Sequence, residues 1–280
     1  MRIAVFGASG LLGKALVKEL ADEQLTALSS KDADLHNPSA VQKAIESAKQ
    51  DWIILSAAYT DVDGCESNRE LAFSVNRDGA MKVARAARDV GARLIFLSTD
   101  YVFDGNKRAP YEIDDARNPM NVYGESKAQA EERLLDLVPD VCVVRTSWLF
   151  GPGGKCFPAT ILKLAASRPE ISVVNDQRGS PTLTTDLARA LHELSKKSAR
   201  GIVHVTNSGD CTWYEFAGEI VRLAGLPTRV KPVSTAEFPR PAKRPANSVL
   251  SPASRIAYGI EMPSWQDALR RYLDEENIRP

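Results

Sequence analysis

Histidine and cysteine are scarce in this 280-residue chain, which holds three of the first and four of the second. Cys65, Cys142, Cys156 and Cys211 stand far apart with no C-x-x-C pair, and His36, His192 and His204 form no ligand-spaced cluster with them. Such spacing gives neither a disulfide framework nor a zinc site, and reads as buried thiols in a reducing compartment. Net charge is missing too. Lys+Arg 36 against Asp+Glu 36 leaves no overall field for nucleic acid or an acidic membrane surface. No apolar run nears the ~18 residues of a membrane span, and Met1-Arg2-Ile3-Ala4-Val5-Phe6 leads into a strand pattern rather than a signal peptide. The expectation is a cytoplasmic protein with no nucleic-acid or membrane partner, and a length that suits one large domain or two closely joined ones.

Glycine is placed with purpose near the start. Ile3 to Phe6 is a short apolar run closed by Gly7-Ala8-Ser9-Gly10-Leu11-Leu12-Gly13, after which Leu12, Ala15, Leu16 and Leu20 recur with helical spacing. Strand, tight turn and helix in this order let the backbone approach a pyrophosphate, with the helix N-terminus facing the anion. Gly7, Ser9, Gly10, Leu11, Leu12 and Gly13 are therefore candidate dinucleotide contacts. A second strand, Leu25 to Ser29, ends without the Asp or Glu that usually holds the adenosine ribose of NAD; Ser29, Ser30 and Lys31 stand there instead. Hydroxyls and a cation suit a 2′-phosphate, so the sequence favours NADPH, with NADH as the alternative. Asp51 to Thr60 reads as a buried strand ending in small residues, which leaves space over the sheet and makes Ala57, Ala58 and Tyr59 further cofactor candidates.

The chain continues as alternating helices and strands: Ala80 to Val90 a helix, Arg93 to Asp100 a strand, Val141 to Thr146 a strand. Thr99 falls at the carboxyl end of its strand, where open α/β sheets place ligands, and its hydroxyl suits a substrate carbonyl. Tyr123 and Lys127 lie four residues apart at the start of a helix, on one face. A tyrosine with an ordinary pKa of about 10 exchanges protons poorly at neutral pH. A neighbouring ammonium favours the phenolate and lets Tyr123 act as an acid or base on a substrate oxygen.

Beyond Phe150 the texture shifts. Gly151 to Gly154 is a break, Phe157 to Ala166 a helix, and Asp176 to Thr182 a turn; strands near Ile171 to Val174 and Ile202 to Val205 flank a helix from Thr185 to Leu194. Helices from Trp213 to Leu223 and from Trp265 to Glu276 bracket a proline-rich segment, Pro239 to Pro245. The expected fold is α/β, a Rossmann-like doubly wound parallel sheet with a smaller C-terminal α/β lobe. Residues 1–150 would hold the dinucleotide, segments near 176–206 would return to that domain, and 151–280 would mainly hold substrate.

Together the turn Gly7 to Gly13, Ala57-Ala58-Tyr59-Thr60, Val75-Asn76, Ser98-Thr99-Asp100-Tyr101-Val102-Phe103-Asp104-Gly105, Asn121 to Lys127, Arg145 to Gly151, Asp176-Gln177, Pro181-Thr182 and Arg244-Pro245 resemble the dTDP-4-dehydrorhamnose reductase family of extended short-chain dehydrogenase/reductases. The G-x-x-G-x-x-G spacing is typical of that superfamily. The resemblance spans essentially the whole chain, with Ala130-Glu131 where the family often has Gly-Glu and Ser56 where Asn is usual. It implies hydride transfer from a reduced nicotinamide to the C4 carbonyl of a nucleotide-linked 6-deoxy-4-ketohexose, with Tyr123 as proton donor, Lys127 on the nicotinamide ribose and Thr99 on the same oxygen. By the same analogy Asp34 and Leu35 lie near the adenine, Trp148 beside the sugar and Arg244 at the diphosphate, with Tyr101, Phe103, Gln177 and Thr182 as further substrate contacts. Some relatives form a metal-assisted dimer, so Mg2+ and a monomer or homodimer stay open, although nothing in the sequence indicates a metal site. Two other readings also stay open: another nucleotide-linked 4-ketosugar reductase or epimerase, and a regulatory subunit similar to the beta subunit of methionine adenosyltransferase.

Overall fold

A computed structural model describes residues 1–48 and 50–278, so residues 279 and 280 of the expected substrate lobe lie outside the described residues. Six parallel strands build the central sheet: β1 (Arg2–Phe6), β2 (Gln24–Leu28), β3 (Trp52–Leu55), β4 (Arg93–Thr99), β5 (Cys142–Thr146) and β6 (Gly201–His204). Their order across the sheet is β6-β5-β4-β3-β1-β2. The chain leaves β1 toward β2, then crosses back to place β3 on the other side of β1. A crevice therefore opens at the carboxyl ends of β1 and β3.

Alternation along the strands fills both faces. Ala4, Phe6, Ile53, Leu55, Leu94, Phe96 and Val143 share one core with the helices Pro38–Ala48 and Ala80–Asp89. Ile3, Val5, Ile54, Ile95, Leu97 and Val144 share the other with Leu12 and Leu16 of the helix Leu11–Glu19 and Leu187, Leu191 and Leu194 of the helix Thr184–Lys196. Burial on both faces is why these strands read as continuous apolar runs rather than as half-polar ones. Each fully buried aliphatic side chain contributes about 1.5–3 kcal/mol.

A third core lies outside the sheet. Phe150, Ile161, Ile171, Phe216, Ile220, Trp265, Leu269 and Tyr272 pack together in the second half of the chain. There Glu170–Val174 pairs in parallel with Arg229–Val233, Leu149–Phe150 with Thr182–Leu183, and Arg178–Gly179 runs antiparallel to Cys211–Thr212. The strands expected near Ile171 and Ile202 thus belong to different sheets: the first pairs within this lobe, the second joins the large sheet beside β5. No helix among the described residues is long and apolar enough to cross a membrane.

Candidate active site

A cleft of about 760 Å3 runs from the glycine turn across the carboxyl ends of β1, β3 and β4 to the second lobe. Its volume is in the range of small-molecule and cofactor sites. At one end β1 stops at Phe6, whose carbonyl accepts from the amides of both Ser56 and Ala57, while Gly7 and Ala8 donate to Leu28 O. Gly7 has φ +88, and a Cβ there would lie 2.7 Å from Ala57 N; at Gly13 it would lie 2.0 Å from Gly7 O. Only glycine fits this turn. No side chain caps the helix that follows, Leu11–Glu19, so its first amides stay free for an anion.

Gly7, Ser9, Gly10, Leu11, Leu12, Gly13, Ser30, Asp34, Leu35, Ala57 and Ala58 all line this cleft. Lys31 does not: it is exposed beside the wall, and the neighbouring Ser29 hydroxyl bonds Asp32 at 2.6 Å. Tyr59 is also off the wall, because its N–H donates to Asn76 Oδ1 (2.8 Å) and its carbonyl accepts from Asn76 Nδ2 (3.1 Å).

Thr99, Tyr123 and Lys127 converge midway along the cleft. Thr99 is the last residue of β4, and Tyr123 and Lys127 sit in the first turns of the helix Val122–Leu137. Asn121 caps that helix, its side chain accepting from Gly124 N at 2.8 Å. Gly124 permits a close approach, since a Cβ there would lie 2.1 Å from Tyr101 O. The Tyr123 ring consequently meets Tyr101 edge to face, with centroids 6.2 Å apart. Buried Asn76, in a π-helical stretch Ser74–Gly79, donates to Ser126 Oγ at 3.0 Å as well as holding Tyr59. It links the wall after β3 to the helix that carries the tyrosine and lysine.

The electrostatics differ from the sequence-based expectation. Burial raises the Tyr123 phenol above its ordinary value; Asp100, when ionised, adds to this, and a hydrogen bond with Thr99 opposes it. Burial also drives Lys127 down to about 7, against the pull of Glu131. Its ammonium rests over the Phe96 ring, 4.0 Å from the centroid. Burial is the dominant effect on both groups, and Lys127 is not among the groups that lower the phenol.

At the far end Trp148 stacks on Trp213, with centroids 3.5 Å apart and planes 6° from parallel, and both line the cleft. Trp148 has φ +49, a conformation a bulky residue rarely adopts. Behind it Gly179 leaves no room for a side chain, since a Cβ would lie 2.5 Å from the indole. Tyr101 lines the cleft beside Thr99. The other expected substrate contacts are elsewhere. Phe103 is buried and stacked on Tyr111 at 4.1 Å, Thr182 is buried with its hydroxyl on Ser180 O, and Gln177 donates to Thr235 Oγ1 at 2.9 Å. Arg244 lies behind the wall, bonded to Asp63 at 2.7 Å. Trp213 and Asp100 are cleft-lining residues that sequence reasoning passed over, and Asn76 braces the wall from behind; a Trp opening a helix was the one signal for the first.

The chain matches the family described as RmlD substrate binding domain over residues 1–278. It is 42% identical over 278 residues to a dTDP-4-dehydrorhamnose reductase of Mycobacterium tuberculosis (strain CDC 1551 / Oshkosh), covering 96% of this chain and 91% of that protein. The structure of a dTDP-4-dehydrorhamnose reductase from Clostridium acetobutylicum superposes with a TM-score of 0.96 at 39% identity, covering 99% of this chain and all of that one. That of a dTDP-4-dehydrorhamnose reductase from Bacillus anthracis str. Ames, in complex with NADP, does so with a TM-score of 0.95 at 41% identity, covering 98% and 99% of the two chains.

Proposed function

This chain belongs to the RmlD substrate binding domain family, and from that premise we propose that it reduces the C4 keto group of dTDP-4-dehydro-6-deoxy-L-mannose to give dTDP-L-rhamnose, with NADPH as reductant. One observation carries the reading. A single cleft joins the glycine turn, the group Thr99, Tyr123 and Lys127, and the Trp148–Trp213 stack, so cofactor, proton donor and sugar shelf adjoin.

The turn Gly7 to Gly13 and the uncapped amides of Leu11, Leu12 and Gly13 fit a dinucleotide pyrophosphate. Ser29, Ser30 and Lys31 would hold the adenosine end of the cofactor, and Lys127 would hold the ribose nearer the reaction. NADPH bound here supplies the hydride. Tyr123 gives its phenolic proton to the oxygen that gains charge, and Thr99 donates a hydrogen bond to that oxygen. Trp148, backed by Gly179 and Trp213, holds one face of the sugar. Burial makes Tyr123 a weaker acid than a free phenol, but an alkoxide is more basic still, so the proton passes from the phenol to the oxygen that gains charge.

The reading divides the chain as the sequence suggests, residues 1–150 with β6 for the cofactor and 151–280 mainly for the nucleotide sugar. It places the enzyme in the cytoplasm, as a monomer or homodimer. The experiment is the loss of reduced-nicotinamide absorbance with NADPH or NADH and dTDP-4-keto-6-deoxyglucose, with and without a 3,5-epimerase. Oxidation that needs the epimerase supports the reading; no oxidation under any combination rejects it.

A further inference from the structure

Asp100 is the acid in the cleft that the mechanism leaves unused. It follows Thr99 directly, lines the same cleft and is 2% exposed. Its Oδ1 lies 3.0 Å from Thr99 Oγ1, whereas its Oδ2 is buried with no hydrogen-bond partner among the described residues. Thr99 Oγ1 meanwhile accepts from Tyr101 N–H at 3.1 Å.

A count of hydrogens decides what this arrangement can do. A threonine hydroxyl has two acceptor sites and one hydrogen. With Asp100 ionised, the carboxylate takes that hydrogen and Thr99 has none to offer a substrate oxygen. With Asp100 protonated, the acid donates to Thr99 Oγ1, the Tyr101 amide fills the second acceptor site, and the Thr99 hydrogen turns to the cleft, where the Tyr123 phenolic oxygen and a substrate oxygen are its acceptors. A buried carboxyl oxygen without a donor favours the neutral acid. Burial pushes the Asp100 carboxyl up to about 7; the nearby Ser248 hydroxyl, which donates to Arg178 O rather than to Oδ2, the Thr99 hydroxyl and the amides of Asp100 and Tyr101 oppose the rise only in part.

We propose that Asp100 works as a neutral acid and is a positioning residue for Thr99, turning that hydroxyl from acceptor to donor. The proposal rests on the reading that Thr99 hydrogen-bonds the reacting oxygen. The groups that face Asp100 are Tyr101, with Arg244 beside that ring, and Tyr123 from the helix Val122–Leu137. Lys127, on that helix and in the same cleft, is the rival for any titration near neutrality.

Two measurements on the whole protein test it. Infrared spectra of enzyme carrying isotope-labelled aspartate should show a buried, protonated carboxyl at mildly acidic pH, which fades as pH rises and is missing from Asp100→Asn. Its absence from the wild type overturns the proposal. The second measurement is kcat against pH at saturating NADPH and ketosugar. Wild-type turnover should fall as pH rises through neutrality, while Asp100→Asn, which cannot ionise, should hold its low-pH turnover within about tenfold of wild type and lose that limb. An Asn variant with the wild-type limb assigns the titration to Lys127 and overturns the proposal. So does a folded, cofactor-binding variant that is inactive at every pH. Should the Asn variant not fold, Thr99→Ser should keep the limb and Thr99→Val lose it; a limb retained in Thr99→Val rejects the idea. Failure of the functional reading would look different: no ketosugar would be turned over, while the infrared band would still report on Asp100.

Discussion

Glu131 and Arg145 meet in the interior, the carboxylate 0% and the guanidinium 1% exposed, with Arg145 Nη2 2.7 Å from Glu131 Oε2. Ser98 Oγ donates to the same carboxylate, and Arg117 Nη1 approaches it at 3.4 Å. The pair ties the helix that carries Tyr123 and Lys127 to β5 and, through Ser98, to the residue before Thr99. Removing one partner strands a buried charge. Glu131→Ala should therefore cost about 3–5 kcal/mol of stability in urea titration; a loss within experimental error would show that water or a neighbour compensates.

In the proposed mechanism Tyr123→Phe removes the proton donor and keeps the ring in place. Turnover should fall by about 10²-fold or more, with NADPH affinity by fluorescence titration nearly unchanged. Near-normal turnover would remove Tyr123 from its role.

Lys127 makes stability depend on pH in a definite direction. Its folded pKa is lowered by burial to about 7, against about 10.4 in an unfolded chain. Between those values the unfolded state binds more protons, so the stability of the cofactor-free protein rises with pH across that window. Below it both states are charged and the folded one bears the full cost. Lys127→Met should flatten the rise in melting temperature and weaken NADPH binding at the same time. An unchanged pH profile would show that Lys127 is better solvated than its burial indicates.

Gly179 backs the Trp148 indole without space for a methyl group. Gly179→Ala should displace the ring and raise KM for the nucleotide sugar by about tenfold, equivalent to ~1.4 kcal/mol of binding, while leaving KM for NADPH alone. Equal effects on both would mean a general loosening of the lobe.

Lys31 is exposed beside Ser30. If it meets the 2′-phosphate, Lys31→Ala raises KM for NADPH more than for NADH. A matched change for the two cofactors rejects that contact.

The half of the cleft assigned to the cofactor was legible because its chemistry is local. Gly7, Gly10 and Gly13 are fixed by one turn, and Tyr123 and Lys127 by one helix, so spacing alone brings each set together. The half assigned to the substrate depends on contacts between distant segments. Trp148 meets Trp213 across 65 positions and Gly179 fits behind it only through the strand pair with Cys211–Thr212. Phe103 and Thr182 belong to informative motifs, yet the fold uses them for packing, and sequence cannot separate a motif that touches ligand from one that supports it. The strand Arg229–Val233 left no trace because Arg229, Lys231 and Pro232 break any alternation; its partner supplies the pairing. The charge state of Lys127 was also beyond sequence, since it follows from burial rather than from identity.

Strand β6 closes the sheet with residues that come late in the chain. During synthesis, β1 to β5 leave the ribosome first, and the wholly buried strand Cys142–Thr146 stays an open apolar edge until Gly201–His204 emerges. At roughly 5–20 residues per second that wait is several seconds. A nascent chain in this interval presents the type of edge that pairs with another chain. A fragment ending near residue 150 would keep the edge permanently, so it should aggregate where the full chain stays dispersed, and a chaperone that shields β5 should raise the yield of the whole protein.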